Sequence, residues 1–382
     1  SQLMDFTSRY EFDKCVDRYN GDHRARNFKC WQQFLCLSFG QLTHRESLRD
    51  IVLCIEAQAA KLYHLGFKSR VTRSTLSDAN QRRDWRIYAD FAKILMAEAR
   101  KLYIDEPEFS LEISNSVYAL DSSLIRLCVT VYNWADYRRT TAGIKLHTLL
   151  DVQNALPEMV IITAGKVNDM RILEQVDFKP SAFYIMDRGY NDLKQLDRIE
   201  QRKAYFVIRS KNNIHVKVLE EFPLCDQQYI LSDRMVVFKN YYSRQAYPRA
   251  LRLIRSKDPE TGKHILLLTN HLELKAETIA ELYRQRWKIE LFFKWIKQNL
   301  RIKVFWGESE NAVKTQIWIA LATYLLVAIA RKKLNIKLSL YEIFQILSVS
   351  LFDRTPVNQL FTMRQIQADT SKKHNQLSIF DL

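Results

Sequence analysis

Two acidic residues directly follow apolar runs that read as strands. Asp121 follows residues 117–120, and Asp187 follows residues 183–186. Two unpaired carboxylates that lie close together in a low dielectric repel each other, and divalent cations are one of the few arrangements that keep both ionised. The competing interpretation is local, because Asp121 could cap a turn while Asp187 caps the next helix or pairs with Arg188. Taken singly, the two residues leave both interpretations open.

A third carboxylate lies in a predicted helix over residues 276–300. Tyr283, Arg286, Glu290 and Lys297 stand at positions i, i+3, i+7 and i+14, which places them on one helical face. A carboxylate can ligate a hard cation, Arg and Lys can hold phosphate oxygens, and Tyr can donate to a DNA backbone. Together these four side chains would clamp a scissile phosphate.

The alternative for this helix is an amphipathic surface helix with ordinary i, i+4 ion pairs such as Arg286 with Glu290. Apolar residues leave little of the helix facing solvent, and they are Trp287, Ile289, Leu291, Phe292, Phe293, Trp295 and Ile296. A mostly buried helix rarely keeps charges without a role. The pattern therefore favours the phosphate-handling interpretation.

The composition points to a polyanionic partner. The chain has 382 residues, a formal charge of +15 and a pI near 9.4, with basic and aromatic residues interleaved. Neutralising phosphates with Lys and Arg gives sequence-independent affinity, so nucleic acid fits best. Ribosomal, RNA-modifying and membrane-surface proteins share this charge balance. At this length no metal or disulfide scaffold is needed to stabilise a core.

The cysteines and apolar runs predict a cytoplasmic protein that does not enter a membrane. None of the six cysteines forms a CxxC pair, and most have apolar neighbours, so reduced thiols are expected. The longest apolar run, residues 317–330, is shorter than a membrane span and is bounded by basic residues, which predicts a buried helix. No signal-peptide pattern opens the sequence.

The N-terminal part is predicted to be helical and the middle part α/β. A capping box at Thr43–Glu46 would open a helix carrying Leu48 and Ile55. A second start signal at 74–77 precedes a segment that runs through residue 94. Basic residues Arg82, Arg83 and Arg86 lie on its other faces, either solvated or in contact with DNA.

From residue 116 onward, short β-type runs are followed by alternating helix and strand. Predicted strands are 117–120, 124–131, 145–152, 159–163, 182–186 and 204–209, with helical spacing at 169–176 and 192–202. This order is typical of a mixed ribonuclease H-like sheet. Strands at 235–238, 250–254 and 264–269, with a hairpin turn at 258–262, indicate a β-rich insertion.

The motifs resemble those of one family. Residues 282–297 carry the spacing Y-x2-R-x3-E-x6-K and resemble the signature helix of DDE transposases of the insertion-sequence-four family. Asp121 with Ser122–Ser123 resembles the first motif of that family, and residues 187–190 resemble the second. Residues 10–12 and 41–50 resemble its N-terminal helical domain, so the resemblance covers effectively the whole chain.

The resemblance implies a bacterial enzyme with two Mg²⁺ or Mn²⁺ ions held by Asp121, Asp187 and Glu290. Such an enzyme cleaves double-stranded DNA at the terminal inverted repeats of its element and joins the ends to target DNA, with one metal activating the attacking oxygen and the other stabilising the leaving oxygen. Arg286 and Lys297 would orient the DNA backbone, and Tyr283 would bind a nearby phosphate.

The same resemblance implies a domain organisation. Residues 1–112 form a helical domain that binds DNA ends, 113–210 with 273–335 form the α/β ribonuclease H-like core, and 211–272 form the β-strand insertion. Residues 336–382 form a helical C-terminal region that is a candidate for dimerisation, because synapsis of two ends implies a DNA-bound homodimer.

Some family members form a hairpin intermediate and flip a base onto an aromatic side chain. Tyr241 and Tyr242, within the aromatic and basic run 238–244, are candidates for such a platform. These aromatics could equally fill the core of a small sheet.

Three other functions share some of these features with a transposase. A ribonuclease H-like nuclease without strand transfer would share the acids but needs no end-binding domain. A domesticated DNA-binding protein would usually have lost an acid. A glycosidase gains nothing from the Arg and Lys beside Glu290.

Overall fold

The protein forms two compact units. The computed structural model describes residues 2–58, 67, 69–104, 113–138, 141–224, 229–258 and 262–350. The first unit comprises residues 1–106, 127–134 and 295–382, and the second comprises 107–126 and 135–294.

Helices and strands are labelled in chain order over the described residues. The helices are α1 (Arg9–Arg18), α2 (Cys30–Leu42), α3 (Leu48–Glu56), α4 (Arg73–Arg82), α5 (Arg86–Tyr103), α6 (Leu193–Gln201), α7 (Tyr241–Ala246), α8 (Ala276–Arg284), α9 (Trp287–Asn299), α10 (Glu310–Lys333) and α11 (Leu340–Ser350). The strands are β1 (Val117–Leu127), β2 (Asp136–Arg138), β3 (Thr141–Asp151), β4 (Leu156–Ala164), β5 (Phe183–Met186), β6 (Tyr205–Arg209), β7 (Val216–Glu221), β8 (Ile230–Phe238), β9 (Leu251–Lys257) and β10 (His264–Thr269). Short 3-10 helices lie at Gln2–Phe6, Asp169–Gln175 and Arg188–Tyr190.

Helix α10 is the centre of the first unit. Helices α2, α4, α5 and α11 pack around it, and it contains the apolar run 317–330, which is buried as predicted. Its length and apolarity would also suit a membrane span, but 94% of its most apolar window is buried. The Tyr103 hydroxyl donates to the Ala328 carbonyl at 3.1 Å, so this buried phenol has its partner within the core.

The helix starts in the first unit differ from the predicted ones. The capping box that opens α3 is Ser47 with Asp50, four residues later than predicted. Thr43 instead ends α2, where its hydroxyl donates to the Phe39 carbonyl at 2.8 Å. A hydroxyl can cap a start or bond back to the preceding turn, and the sequence alone does not decide which.

The segment predicted to follow residues 74–77 is two helices. Thr72 caps α4, and the chain breaks before α5 begins at Arg86. Asp84 accepts from the Arg86 backbone N–H at 2.9 Å, and Asn311 accepts from the Trp85 N–H at 3.2 Å. These side chains supply the acceptors that a continuous helix would have supplied.

The second unit is built on one mixed sheet. Its strand order is β2-β3-β1-β5-β6-β10-β9-β8-β7, with β4 also paired to β3. Strands β1, β5 and β6 are parallel neighbours, whereas β3 with β4 and all pairs from β6 to β7 are antiparallel. The order β4-β3-β1-β5-β6 confirms the predicted α/β class with a ribonuclease H-like mixed sheet. Strands β7 to β9 extend the same sheet through β10.

Two local features depart from the sequence-based expectation, and one confirms it. The predicted strands 117–120 and 124–131 are replaced by a single strand, β1, which ends at Leu127, so the prediction is wrong for residues 128–131. Strand β7 was not predicted, because nearly all its residues are exposed and it lacks alternation. The hairpin predicted at 258–262 is confirmed by the antiparallel pairing of β9 with β10 and by Gly262, whose φ of 68° suits glycine. Residues 259–261 lie outside the described ranges.

The predicted helix 276–300 is broken into α8 and α9. The N–H groups of Arg286 and Lys288 bond to carbonyls three residues back, at 3.0 Å each, so the backbone tightens and turns between the two helices. Arg286 therefore lies in the turn itself, and the four signature residues are not on one straight helical face.

A buried ion pair joins strands β8 and β9 to the segment before α8. Arg252 and Asp233 are 6% and 5% exposed, and the guanidinium donates to both carboxylate oxygens, at 2.7 Å and 2.5 Å. Arg252 also donates to the carbonyls of Leu272, at 3.2 Å, and Leu274. This arginine thus fixes the chain that leads into the helix carrying Tyr283.

We predict that Arg252→Met lowers the free energy of unfolding by about 3–5 kcal/mol, because it leaves Asp233 buried without a counter-charge. Urea denaturation followed by circular dichroism measures the change. The double variant Arg252→Met/Asp233→Leu should recover most of the loss. A double variant no more stable than the single one would show that the charge pair is not the cause.

Candidate active site

Two of the predicted acids lie side by side on the central strands. In the parallel pairing of β1 with β5, Leu120 is opposite Met186, so Asp121 and Asp187 each follow the last matched pair. Side chains at the same level of parallel neighbours lie at one edge of the pairing. The Ser122 N–H donates to Asp121 Oδ1 at 2.7 Å. Asp187 precedes the 3-10 turn Arg188–Tyr190 but makes no side-chain capping bond there, contrary to the local alternative.

The turn between α8 and α9 brings the signature residues to these acids. Arg286 donates to Glu290 Oε1 at 2.6 Å and to Asp121 Oδ2 at 3.4 Å, and the Tyr283 hydroxyl donates to Asp187 Oδ1 at 3.3 Å. The structure therefore gathers five of the predicted site residues into one cluster. One guanidinium links a carboxylate on the sheet to a carboxylate on the helix.

The electrostatics of the cluster follow from its burial. Burial raises the pKa of Asp121 to about 6, and the charges of Glu290 and Asp187 raise it further, while the Ser122 N–H and Arg286 act in the opposite direction. Burial lowers the pKa of Arg286, but the negative groups around it outweigh burial and the net shift is upward. Burial, with the charge of Asp187, raises the pKa of Tyr283 to about 12. The hydroxyl is thus a proton donor at neutral pH.

The remaining predicted residues lie elsewhere in the chain. Lys297 is on α9, seven residues after Glu290, in the part of the helix that belongs to the first unit. Tyr241 and Tyr242 open α7 and are 69% and 83% exposed, with their rings edge to face at 5.7 Å. They do not fill the core of the sheet, so that alternative is wrong for these two residues, whereas Phe238 of the same run is buried in the core of the sheet.

A polar cluster lies next to Asp121 that was not predicted from the sequence. Ser122 Oγ and Lys145 Nζ both donate to Asp169 Oδ1, at 3.0 Å each. His147 is fully buried, bonds to Thr163 at 2.8 Å, and has its Nδ1 3.5 Å from the same oxygen of Asp169. The available signal was Lys145 and His147 at i and i+2 in an apolar strand, which places two polar side chains on one face.

The donor set fits a hard cation, although the acids are not arranged as a closed site. Among the described residues, no three His, Cys, Asp or Glu side chains form a group ready to hold a metal, because Arg286 stands between Asp121 and Glu290. Carboxylate oxygens are the donors that Mg²⁺ and Mn²⁺ prefer. Burial is the main cause of the raised pKa of Asp121, and the charges of Glu290 and Asp187 add to it. A cation would favour the ionised carboxylate, as the Arg286 guanidinium does now.

Two family models match this chain, and several known proteins are similar to it. The family model described as the transposase DDE domain matches residues 113–326, a range that contains all three acids, and one described as a domain of unknown function (DUF4372) matches residues 1–68. The chain is 30% identical over 285 residues to the putative transposase y4zB of Sinorhizobium fredii, which covers 74% of this chain and 78% of that protein.

Two further relatives are transposases of named elements. The chain is 30% identical to the probable transposase for insertion sequence element IS5377 of Geobacillus stearothermophilus, over 60% of this chain and 62% of that protein. It is 25% identical to the putative transposase for element IS4SA of Synechocystis, over 66% of this chain and 70% of that protein. The match of the DDE model to more than half of the chain agrees with the sheet order and with the acids on β1, after β5 and on α9. The chain therefore belongs to the DDE transposases of insertion sequence elements, enzymes that catalyse DNA transposition.

Proposed function

We propose that this enzyme cleaves DNA at the terminal inverted repeats of its element and transfers the strand ends into target DNA, in a metal-dependent reaction. The observation that carries the proposal is the cluster in which Arg286 pairs with Asp121 and Glu290 while Tyr283 bonds to Asp187. Three acids with an arginine and a phenol on the same cluster provide groups for both metal and phosphate.

Asp121, Asp187 and Glu290 would hold two Mg²⁺ or Mn²⁺ ions. When bound, the ions supply activation of an attacking oxygen and stabilisation of a leaving oxygen at a phosphodiester. DDE transposases typically use divalent metals, and the acidic donor set of this chain is consistent with that requirement.

Arg286 has a different partner in each state of the proposed site. Without metal, its guanidinium neutralises Asp121 and Glu290. Once cations take over that role, the fork geometry of the guanidinium suits a phosphate, to which it can donate two parallel hydrogen bonds. Its Nε is buried and has no hydrogen-bond partner, so one donor of this guanidinium is left unsatisfied in the cluster.

The proposed reaction also needs DNA partners beyond the site. Terminal repeats and target DNA would be bound as duplexes, with residues 1–112 recognising the ends, Lys297 contacting the backbone and residues 336–382 supporting a homodimer in the synaptic complex. The charge of +15 supports a large backbone contribution. The expected compartment is the bacterial cytoplasm.

A ribonuclease H-like nuclease that cuts without joining would use the same acids. The joining step distinguishes the two functions, because a transposase uses the freed 3′-hydroxyl as a nucleophile and a nuclease leaves it as product. The family membership favours the transposase.

We predict that Glu290→Gln abolishes cleavage of DNA that carries the element ends, because an amide cannot replace a charged metal ligand. Binding of the same DNA should remain near the wild-type level. Denaturing gels after incubation with Mn²⁺ separate nicks, hairpins and joined products, and a mobility-shift assay measures binding.

The matched control for Glu290→Gln is Glu281→Gln, on the preceding helix α8. Glu281 is half-exposed and pairs with Arg284, so its loss should leave cleavage unchanged. Cleavage retained by Glu290→Gln in Mg²⁺ would refute the assignment of the acids.

The buried cluster behind Asp121 predicts a pH dependence of stability. Burial lowers the pKa of His147 to about 4, below the value of about 6.5 in an unfolded chain. The unfolded state therefore takes up a proton first as the pH falls below 6.5, and folding loses free energy down to about pH 4.

We predict that His147 accounts for about 3 kcal/mol of the stability lost between pH 7 and pH 4. His147→Gln, which keeps a polar side chain but cannot titrate, should show a correspondingly shallower pH dependence. Urea unfolding of both proteins at a series of pH values measures the difference. Parallel curves for the two proteins would argue against a buried neutral histidine.

We predict that Tyr242→Ala reduces second-strand cleavage several-fold and leaves first-strand nicking unchanged, if a base is flipped onto this residue. Tyr242→Phe should behave as wild type, because stacking needs only the ring. Hairpin and nick yields on end-labelled DNA give the comparison. Equal loss of both products would assign Tyr242 to general DNA binding.

A further inference from the structure

The first unit contains a cavity with an excess of positive charge. Its volume is about 670 Å³, and its lining includes Lys297, Arg301 and Lys303, with His44 beside them. No Asp or Glu lines it within the described part of the chain. A concave site with three cations and no acid favours an anionic ligand.

The backbone around the cavity is held in place. The Arg301 N–H donates to Gln41 at 2.7 Å, its guanidinium donates to the His44 carbonyl at 2.7 Å, and its carbonyl accepts from Gln316 at 2.5 Å. The Nε of Arg301 is buried and has no hydrogen-bond partner. The cation is thus positioned before any ligand binds, with one donor unused.

The lowered pKa of Lys297 also favours an anionic ligand. This lysine is half-buried, and its pKa is lowered by burial and by the charge of Lys303. Two cations that repel each other in a partly desolvated site are stabilised by an anion placed between them. The cavity therefore favours a ligand carrying a phosphate.

Aromatic side chains supply a second recognition element. Trp295 lies in one wall and is fixed edge to face against Tyr324 and Phe344, at 5.1 Å each. Tyr341, in the first turn of α11, also lines the cavity and is 53% exposed. An exposed ring beside cations is the arrangement with which proteins stack a base and hold its phosphate.

We propose that this cavity binds a short unpaired segment of a DNA strand, with its phosphates on Lys297, Arg301 and Lys303 and a base on Tyr341. A volume in the range of small-molecule sites admits a nucleotide unit but not a duplex, and only an unpaired base exposes its face to a ring. The identity of the strand as DNA rests on the proposed function.

The test is fluorescence anisotropy of the full chain in EDTA, with a labelled ten-nucleotide single strand and the same sequence as a duplex. Lys303→Gln and Tyr341→Ala should each weaken single-strand binding at least about fivefold, whereas Tyr341→Phe should match wild type. The salt slope of Lys303→Gln should fall by about 0.7. A matched control outside both the cavity and the proposed end-binding domain, Lys217→Gln on the exposed strand β7, should change little.

Three results would overturn the proposal. Unchanged single-strand affinity with a lower melting temperature would mean that these residues only stabilise the end of α9. Equal losses for single strand and duplex would indicate a duplex backbone site. Displacement of the oligonucleotide by inorganic phosphate, at matched ionic strength, would indicate a small-anion site.

Failure of this proposal is distinguishable from failure of the proposed function. Binding in EDTA does not require the metal-dependent reaction. If Lys303→Gln loses single-strand binding and the wild type does not cleave DNA in Mn²⁺, the single-strand site is supported and the proposed reaction is refuted. If the wild type cleaves DNA but both cavity variants bind the single strand as the wild type does, the proposed reaction is supported and the single-strand site is refuted.

Discussion

Burying carboxylates next to one another is the constraint on which the second unit depends. Burial raises the pKa of Asp121 to about 6, and the charges of Glu290 and Asp187 raise it further. Keeping this carboxylate ionised therefore costs free energy. The guanidinium of Arg286 offsets this cost by pairing with two of the acids at once. An isolated buried charge is expensive, whereas a paired one is tolerated. The site is thus stable only if a cation, from the protein or from solution, stands among the acids.

The fold meets this constraint through backbone geometry. Parallel pairing of β1 with β5 sets two acids at one level, and the broken helix presents Arg286 from its turn rather than from a regular helical face. The buried pair of Arg252 with Asp233 holds the chain that enters α8. Elements far apart in sequence therefore fix the distances from Arg286 and Tyr283 to the three carboxylates.

The first unit follows a different principle. Its centre is an apolar helix, α10, around which the other helices pack, and its charges lie towards the surface or in the cavity near Arg301. Because Arg301 is held through its backbone N–H by Gln41 and through its guanidinium by the His44 carbonyl, this cation is positioned before an anion binds. Each unit thus places positive charge where phosphates are expected. In the second unit Arg286 lies against acids, whereas no described Asp or Glu lines the cavity of the first unit.

The sequence by itself determined the α/β class, the order of the main strands, the buried helix around residues 317–330 and the residue types of the acidic cluster. These follow from periodicity and from motif spacing, which are local properties. Only the tertiary structure decided that Arg286 bridges Asp121 and Glu290, that α8 and α9 are separate, and that Tyr241 and Tyr242 are exposed. It also revealed the cluster of Lys145, His147 and Asp169. The physical reason is that such contacts join distant segments, and their energies depend on burial and on partners that no local pattern contains.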